Sequence, residues 1–309
     1  MTRNIILFVI KFLISAALMY FLSTKLDLKD IGVRLSNLNW VNIYMAGLCF
    51  LMLLLSNSAR WWVVLSAIDR PHSFNLLFRL QYIGGFFNQV LPSVIGGDAL
   101  RAYLVHRSGA PLKTAINGIV LERVITVAYL IFLVTLFQPL INFPEGQLTA
   151  QFIFPSLSVF AILGIIILTQ IYSLPKSLCK WKIIRGLVNL SLDAKSLFLS
   201  FPWATKSLFF GFLGNILVCL FTYECAQALG IELELVEALV FVPPAILIST
   251  LPISIAGWGV REGMMVGTLS MVGVPEVEAF ALSILYGLLM IVCFLPGGVI
   301  WLLHRDLKH

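Results

Sequence analysis

Apolar residues run through this chain in long blocks separated by short polar punctuation. A helix that crosses a bilayer needs about 20 mainly apolar residues. Six blocks meet that length: residues 5–22, roughly 41–58, 115–137, 152–174, 207–229 and 279–303. Lys11 sits near the start of the first block, where its stem can reach the near interface. Trp40 opens the second, and Arg60-Trp61-Trp62 closes it; paired tryptophans beside an arginine predict a membrane–water boundary. Two further apolar stretches are too short to cross. Residues 76–90 end at Pro92, and residues 238–250, which hold Pro243-Pro244, end at Pro252. Each is followed by a Gly-rich break and a second short arm.

The two breaks resemble each other. Leu91-Pro92-Ser93-Val94-Ile95-Gly96-Gly97-Asp98-Ala99-Leu100-Arg101 aligns without a gap on Leu251-Pro252-Ile253-Ser254-Ile255-Ala256-Gly257-Trp258-Gly259-Val260-Arg261, with five of eleven positions identical. Short arm, break and short arm predict a re-entrant helical hairpin in each case. Non-helical backbone at membrane depth is tolerated only against protein or a wet cavity, so the breaks point to a cavity.

Composition fixes the class. Of 309 residues, 60% are hydrophobic and 12% are charged, with mean hydropathy +0.97; a soluble domain carries about 25% charge. The chain is expected to be an all-α polytopic membrane protein, and its first apolar block, which lacks a small-x-small cleavage pattern, a retained span. The formal charge of +6 is not a nucleic-acid signal, because its Lys and Arg lie in short loops. The five cysteines and four histidines show no ligand spacing, so no metal or other cofactor is expected.

Charge also orients the spans. Residues 176–206 hold six Lys/Arg and one Asp, whereas 138–151, 230–238 and 273–279 carry only acidic charges. The positive-inside rule then puts 176–206 and both termini in the cytoplasm of a cell (inner, cytoplasmic) membrane. The loop 23–40 disagrees mildly, with three basic and two acidic residues on the outer side. Within 176–206, Ile183, Ile184, Leu187, Val188, Leu192 and Leu197 recur at helical spacing opposite Lys180, Arg185 and Lys195. That connector is either an amphipathic surface helix or a loop helix packed on the bundle. Each half of the chain, 1–137 and 152–303, reads as two spans, a re-entrant hairpin and one span, in opposite orientation. Inverted repeats with broken helices are a transporter pattern.

Ionisable residues at membrane depth cost about 2.5–3.5 kcal/mol each even on the lenient insertion scale. Asp98, Arg101, Glu122, Arg123, Arg261 and Glu262 must therefore pair, reach an interface or line a cavity. Two readings stand side by side. In one, Arg101 pairs with Asp98, and Arg261 with Glu262 or Glu122. In the other, Arg101 and Arg261 present planar donor forks to a phosphate, aided by helix N-termini and close backbone approach at Gly96, Gly97, Gly257 and Gly259. Asn88, with Asn57 and Asn215, is a candidate polar lining. Glu224 lies near the outer end of its span.

Asn88-x-x-Leu91-Pro92-x-x-x-Gly96-Gly97-Asp98-x-x-Arg101, Leu121-Glu122-Arg123 and Leu251-Pro252-Ile253-Ser254-x-x-Gly257-x-Gly259-x-Arg261-Glu262-Gly263 resemble the signature of the lysylphosphatidylglycerol synthase membrane-region family of flippase-like proteins. The resemblance extends over essentially the whole chain. It implies a membrane region that moves a lipid between leaflets, without the soluble domain that aminoacylates the lipid. Charging of the lipid is therefore not expected of this chain. Glu122 stands where relatives commonly carry Asp, and Trp258 sits inside the second glycine motif. Stand-alone relatives imply polyprenyl- or glycan-linked lipids as readily as an aminoacylated phospholipid. The expected activity is that of a flippase for a phosphate-bearing lipid, with the membrane lipid as partner and a homo-oligomer or a separate lipid-modifying enzyme as a further one. The alternatives are an integral-membrane enzyme acting on a lipid phosphate through Asp98 or Glu122, and a non-catalytic subunit docked through 176–206.

Overall fold

A computed structural model describes residues 28–69, 72–91, 96–141, 148–174, 181–251 and 253–303, with Leu13 and Tyr20. The rest of the expected first span, both break prolines (Pro92 and Pro252), Lys180, His304, Arg305 and Lys308 lie outside the described residues. Every regular element among those described is helical. In chain order they are α1 (Leu28–Ser36), α2 (Trp40–Ile68), α3 (Phe74–Val90), α4 (Gly96–Arg107), α5 (Leu112–Phe137), α6 (Leu148–Gln170), α7 (Lys182–Phe198), α8 (Phe201–Ala228), α9 (Leu235–Ser249), α10 (Val260–Leu269) and α11 (Glu276–Leu303).

Five of these, α2, α5, α6, α8 and α11, are long and apolar enough to cross a membrane. The 29 residues of α2 reach about 43 Å at ~1.5 Å per residue, against a hydrocarbon core of about 30 Å. The molecule is thus a polytopic membrane protein. The helix does not stop at Arg60-Trp61-Trp62 as the sequence pattern predicts. It continues to Ile68, with Trp61 fully buried and Arg60 5% exposed. The boundary reading is corrected because Arg60 finds a carboxylate inside the bundle, so its charge needs no water.

The centre of the fold is the antiparallel pair α2 and α8, the most extensive helix contact in the protein. Asn39 caps α2 by accepting from the Val41 N–H at 3.0 Å, and its own N–H donates to the Ala228 carbonyl at 2.9 Å. Further along, Asn42 Nδ2 donates to Glu224 at 2.9 Å and Ser56 Oγ to the Phe210 carbonyl at 3.0 Å. Phe50 of α2 stacks edge-on against Phe294 of α11 at 4.8 Å, and Phe221 of α8 meets Tyr286 of α11 at 5.2 Å. Such pairs contribute about 0.5–1.5 kcal/mol beyond their buried area.

The short helices come in two pairs. α3 and α4 pack antiparallel: the Gly97 N–H donates to Asn88 Oδ1 at 2.8 Å, and Gly84 lies against both Gly97 and Arg101. α9 and α10 form the second pair, with the start of α9 closed by the Glu234 N–H donating to the Glu237 carboxylate at 2.8 Å. Packing between the two halves is reciprocal. α3 lies on α11, where Gly297 passes the Tyr82 backbone and Tyr82 donates to the Cys293 carbonyl at 2.9 Å; α9 lies on α5.

Helix α7 packs one side on the bundle. Ala194 and Leu197 are buried against Val64, Leu121 and Ile125, while Ile183 (76%), Leu187 (41%) and Leu192 (45%) stay exposed. Asn117 of α5 donates to Asp193 at 2.6 Å and ties the helix down.

Candidate functional site

Three arginines of the first half share two carboxylates. Arg101 Nη2 donates to Asp98 at 2.9 Å and to Glu122 at 3.0 Å, and Nη1 donates to Gln81. Arg60 Nη2 donates to Glu122 at 3.2 Å. Arg123 meets the other oxygen of Asp98 through Nε at 2.7 Å and Nη2 at 2.5 Å. Asp98, Arg101, Arg60 and Glu122 are all at least 95% buried, whereas the Arg123 side chain is 35% exposed. The local sequence places these groups. Asp98 and Arg101 lie one turn apart on α4, Glu122 and Arg123 are adjacent on α5, and Arg60 lies one turn after Asn57 on α2.

The second half carries a smaller cluster. Arg261 Nη2 donates to Glu262 at 2.5 Å and Nε to Ser283 Oγ at 3.1 Å; that hydroxyl in turn donates to Glu262 at 3.1 Å. Glu262 also accepts from the Gly259 N–H at 2.5 Å, closing the start of α10. Each hairpin arginine lies over a tryptophan ring at the same distance: Arg101 over Trp61 and Arg261 over Trp258, both 4.7 Å to the ring centre. A guanidinium on an aromatic face gains up to about 2 kcal/mol once desolvated.

Both clusters open on one cavity of about 280 Å³, lined by Arg60, Asp98, Arg101, Glu122, Arg123 and Arg261 with Asn57, Asn88 and Asn215. Of the expected site residues, Asp98, Arg101, Glu122, Arg123, Arg261 and Asn88 therefore converge. The expected pairings of Arg101 with Asp98 and Arg261 with Glu262 are present; Glu122 takes Arg60 and Arg101 rather than Arg261. Glu224 does not line the cavity and is held by Asn42. The backbone amides of Gly97 and Gly259 are already taken by Asn88 and Glu262, so neither is open to an anion. Gly257 and Gly259 are needed for conformation instead, with φ of +82° and +85°. Between Pro252 and Gly257, Ala256 lines the cavity in the left-handed region at φ +48°, a strained position for a residue with a Cβ. Gly96 occupies the aligned position in the first break, at the start of α4.

Sequence reasoning missed Arg60. The signal was present: an arginine one helical turn after Asn57, inside an otherwise apolar block. Among the described residues its Nε has no hydrogen-bond partner, and neither does the Trp61 Nε1 beside it.

Long apolar helices around two broken helical pairs, with a buried ionic cavity between them, define a polytopic membrane protein with an internal polar site. The chain belongs to the family described as the lysylphosphatidylglycerol synthase TM region, whose profile matches residues 8–297. It is 26% identical over 254 residues to a UPF0104 membrane protein of Methanothermobacter thermautotrophicus, a match covering 73% of this chain and 72% of that protein. A UPF0104 membrane protein of Methanocaldococcus jannaschii is 29% identical over 133 residues, 42% of this chain and 38% of that relative's length.

Proposed function

We propose that the protein is a lipid flippase or transporter that moves a phosphate-bearing, net-anionic lipid head group between leaflets through the central cavity. The observation that carries this reading is the charge balance. Among the described residues, Arg60, Arg101, Arg123 and Arg261 line one cavity with Asp98 and Glu122, and Glu262 behind Arg261 is the third carboxylate paired with them. On that count guanidinium groups exceed carboxylates by one where burial makes net charge costly, and among the described residues the Arg60 Nε has no acceptor. A phosphate satisfies both deficits through charge-assisted hydrogen bonds. The carboxylates hold the guanidinium forks in place while the site is empty and give way as an anion arrives. A cationic aminoacyl head group would restore the imbalance, so an uncompensated phosphate is the preferred cargo.

The reciprocal packing of α3 on α11 and of α9 on α5 supports an inverted repeat. In it the two hairpins are re-entrant from opposite faces and rock about the α2–α8 pair, with both termini cytoplasmic in the cell membrane. Transport then runs downhill or by ion coupling and breaks no covalent bond.

The test is head-group translocation in proteoliposomes, with phosphatidylglycerol as the anionic lipid and phosphatidylcholine as the neutral one. Arg60→Gln removes one positive charge and leaves Arg101 on Glu122. It is expected to weaken phosphatidylglycerol transport by about tenfold, equivalent to ~1.4 kcal/mol, measured per folded protein because losing one partner of the buried Arg60–Glu122 pair also lowers the melting temperature. An unchanged rate would sink the charge-balance reading.

A further inference from the structure

The ionic cavity has an apolar neighbour. A groove of about 670 Å³ runs between α5 and α6 and shares Asp98, Arg123 and Thr250 with the cavity. Its walls are two facing helical stripes, Val120, Val124 and Val127 on α5, and Ala161, Gly164 and Leu168 on α6. Both stripes keep the i, i+3/i+4, i+7 spacing of a single helix face.

The groove exists because α6 is pinned at two places and stands off between them. Thr135 and Ser158 share a hydrogen bond at 2.7 Å on one side of the opening. On the other, the Tyr172 N–H donates to Ser191 at 2.8 Å and Lys195 donates to the Tyr172 hydroxyl at 2.9 Å. Between the pins α6 gains little contact: 11% of its apolar window is buried, against 44–56% in the other four long apolar helices. A Cβ added at Gly164 would meet no atom within 4 Å, which marks open space rather than tight helix packing. Arg123, paired with Asp98 and a third exposed, sits where the polar and apolar spaces join.

We propose that this groove holds one hydrocarbon chain of the transported lipid, with Arg123 and Asp98 at the junction between head group and chain. The inference rests on the transport reading and deepens it, because it assigns a defined path to the chain. An anionic group alone needs only the cavity, and an ordinary boundary lipid needs only the outer faces of the helices. Only a lipid bound head-first in the cavity needs an apolar groove continuous with it. The stem of Arg123 covers apolar surface while its guanidinium serves the polar side, so one residue suits both.

The experiment uses the full chain in phosphatidylcholine nanodiscs with phosphatidylglycerol carrying a photoactivatable diazirine in one acyl chain. Adducts are mapped by mass spectrometry. Labelling at Val120, Val124, Ala161 and Leu168 is expected to saturate at a low fraction of the probe and to be competed by unlabelled phosphatidylglycerol. Gly164→Phe fills the groove and is expected to abolish that saturable labelling and to stop translocation, with an unchanged melting temperature; Val127→Trp, from the opposite wall, is expected to do the same. The groove is overturned if labelling rises linearly with probe and falls equally on outward residues such as Val159 and Phe160. It is also overturned if saturable labelling survives both variants. Translocation by the wild-type protein separates the two ideas. Transport without saturable groove labelling overturns the groove alone, whereas saturable labelling without transport leaves a lipid-binding groove and removes the flippase.

Discussion

Arg101→Ala is expected to destabilise the protein by roughly 3–6 kcal/mol, from the loss of two buried hydrogen bonds between charged groups at about 1.5–3 kcal/mol each. Arg101 bridges Asp98 on its own helix to Glu122 on α5. Without it, each carboxylate keeps one guanidinium, Asp98 with Arg123 and Glu122 with Arg60, and each loses a charged hydrogen bond in a site almost closed to water. Trp61 loses the guanidinium over its ring, and Gln81 loses its donor. Arg101→Lys restores the charge but not the planar fork, so it should recover part of the loss and leave one carboxylate underbonded. Thermal unfolding in detergent orders the three proteins as wild type, Lys and Ala. A loss below about 1 kcal/mol for Ala, typical of an exposed pair, would show that the network is solvated.

Gly97→Ala is expected to open the α3–α4 pair. A Cβ there would fall on the Gly84 carbonyl oxygen and within 2.6 Å of Asn88 Oδ1. Neither neighbour can step aside: one is helix backbone, and the other is fixed by capping the Gly97 N–H. Forced overpacking costs about 1–3 kcal/mol and occasionally more, and a clash against helix backbone belongs at the upper end. Because Asp98 and Arg101 ride on α4, the same change displaces the ionic cluster, so transport should be lost along with stability. Gly96→Ala is the control. Its Cβ would meet Leu91 Cδ1 at 2.7 Å, the far end of a flexible side chain, and Leu91 Cβ at 3.1 Å, with no backbone atom among its nearest described neighbours, and should cost about 1 kcal/mol, less than Gly97→Ala. Equal effects of the two changes would mean that the pair is not held by close approach at Gly97.

Much of this architecture was legible in the sequence. A helical span needs a long apolar block, and α5, α6, α8 and α11 appear where the blocks lie, shifted by a few residues at their starts. The breaks were legible because Pro, Gly and an ion cannot sit together inside a lipid-facing helix. The extent of α2 was not, since the rule that puts Trp and Arg at an interface assumes that the arginine has no internal partner. Its partner, Glu122, is 62 positions away, and local patterning carries no information about such a pairing. The glycines were legible as special positions but not in their role. Close approach was read as room for an anion, whereas at Gly97 it is room for a neighbouring helix, with Asn88 and Glu262 supplying the caps. Glu224 was ambiguous in the same way, because an acid near a span end is satisfied by water, by cargo or, as here, by an asparagine on the next helix.

The most direct measurement is an electron cryo-microscopy structure in nanodiscs rich in phosphatidylglycerol. A phosphate within about 3 Å of guanidinium nitrogens of both Arg101 and Arg261, the distance of charge-assisted hydrogen bonds, with one chain leaving between α5 and α6, is the expected result. Phosphates confined to the bilayer surfaces, with the cavity holding only water between intact arginine–carboxylate pairs, would contradict it.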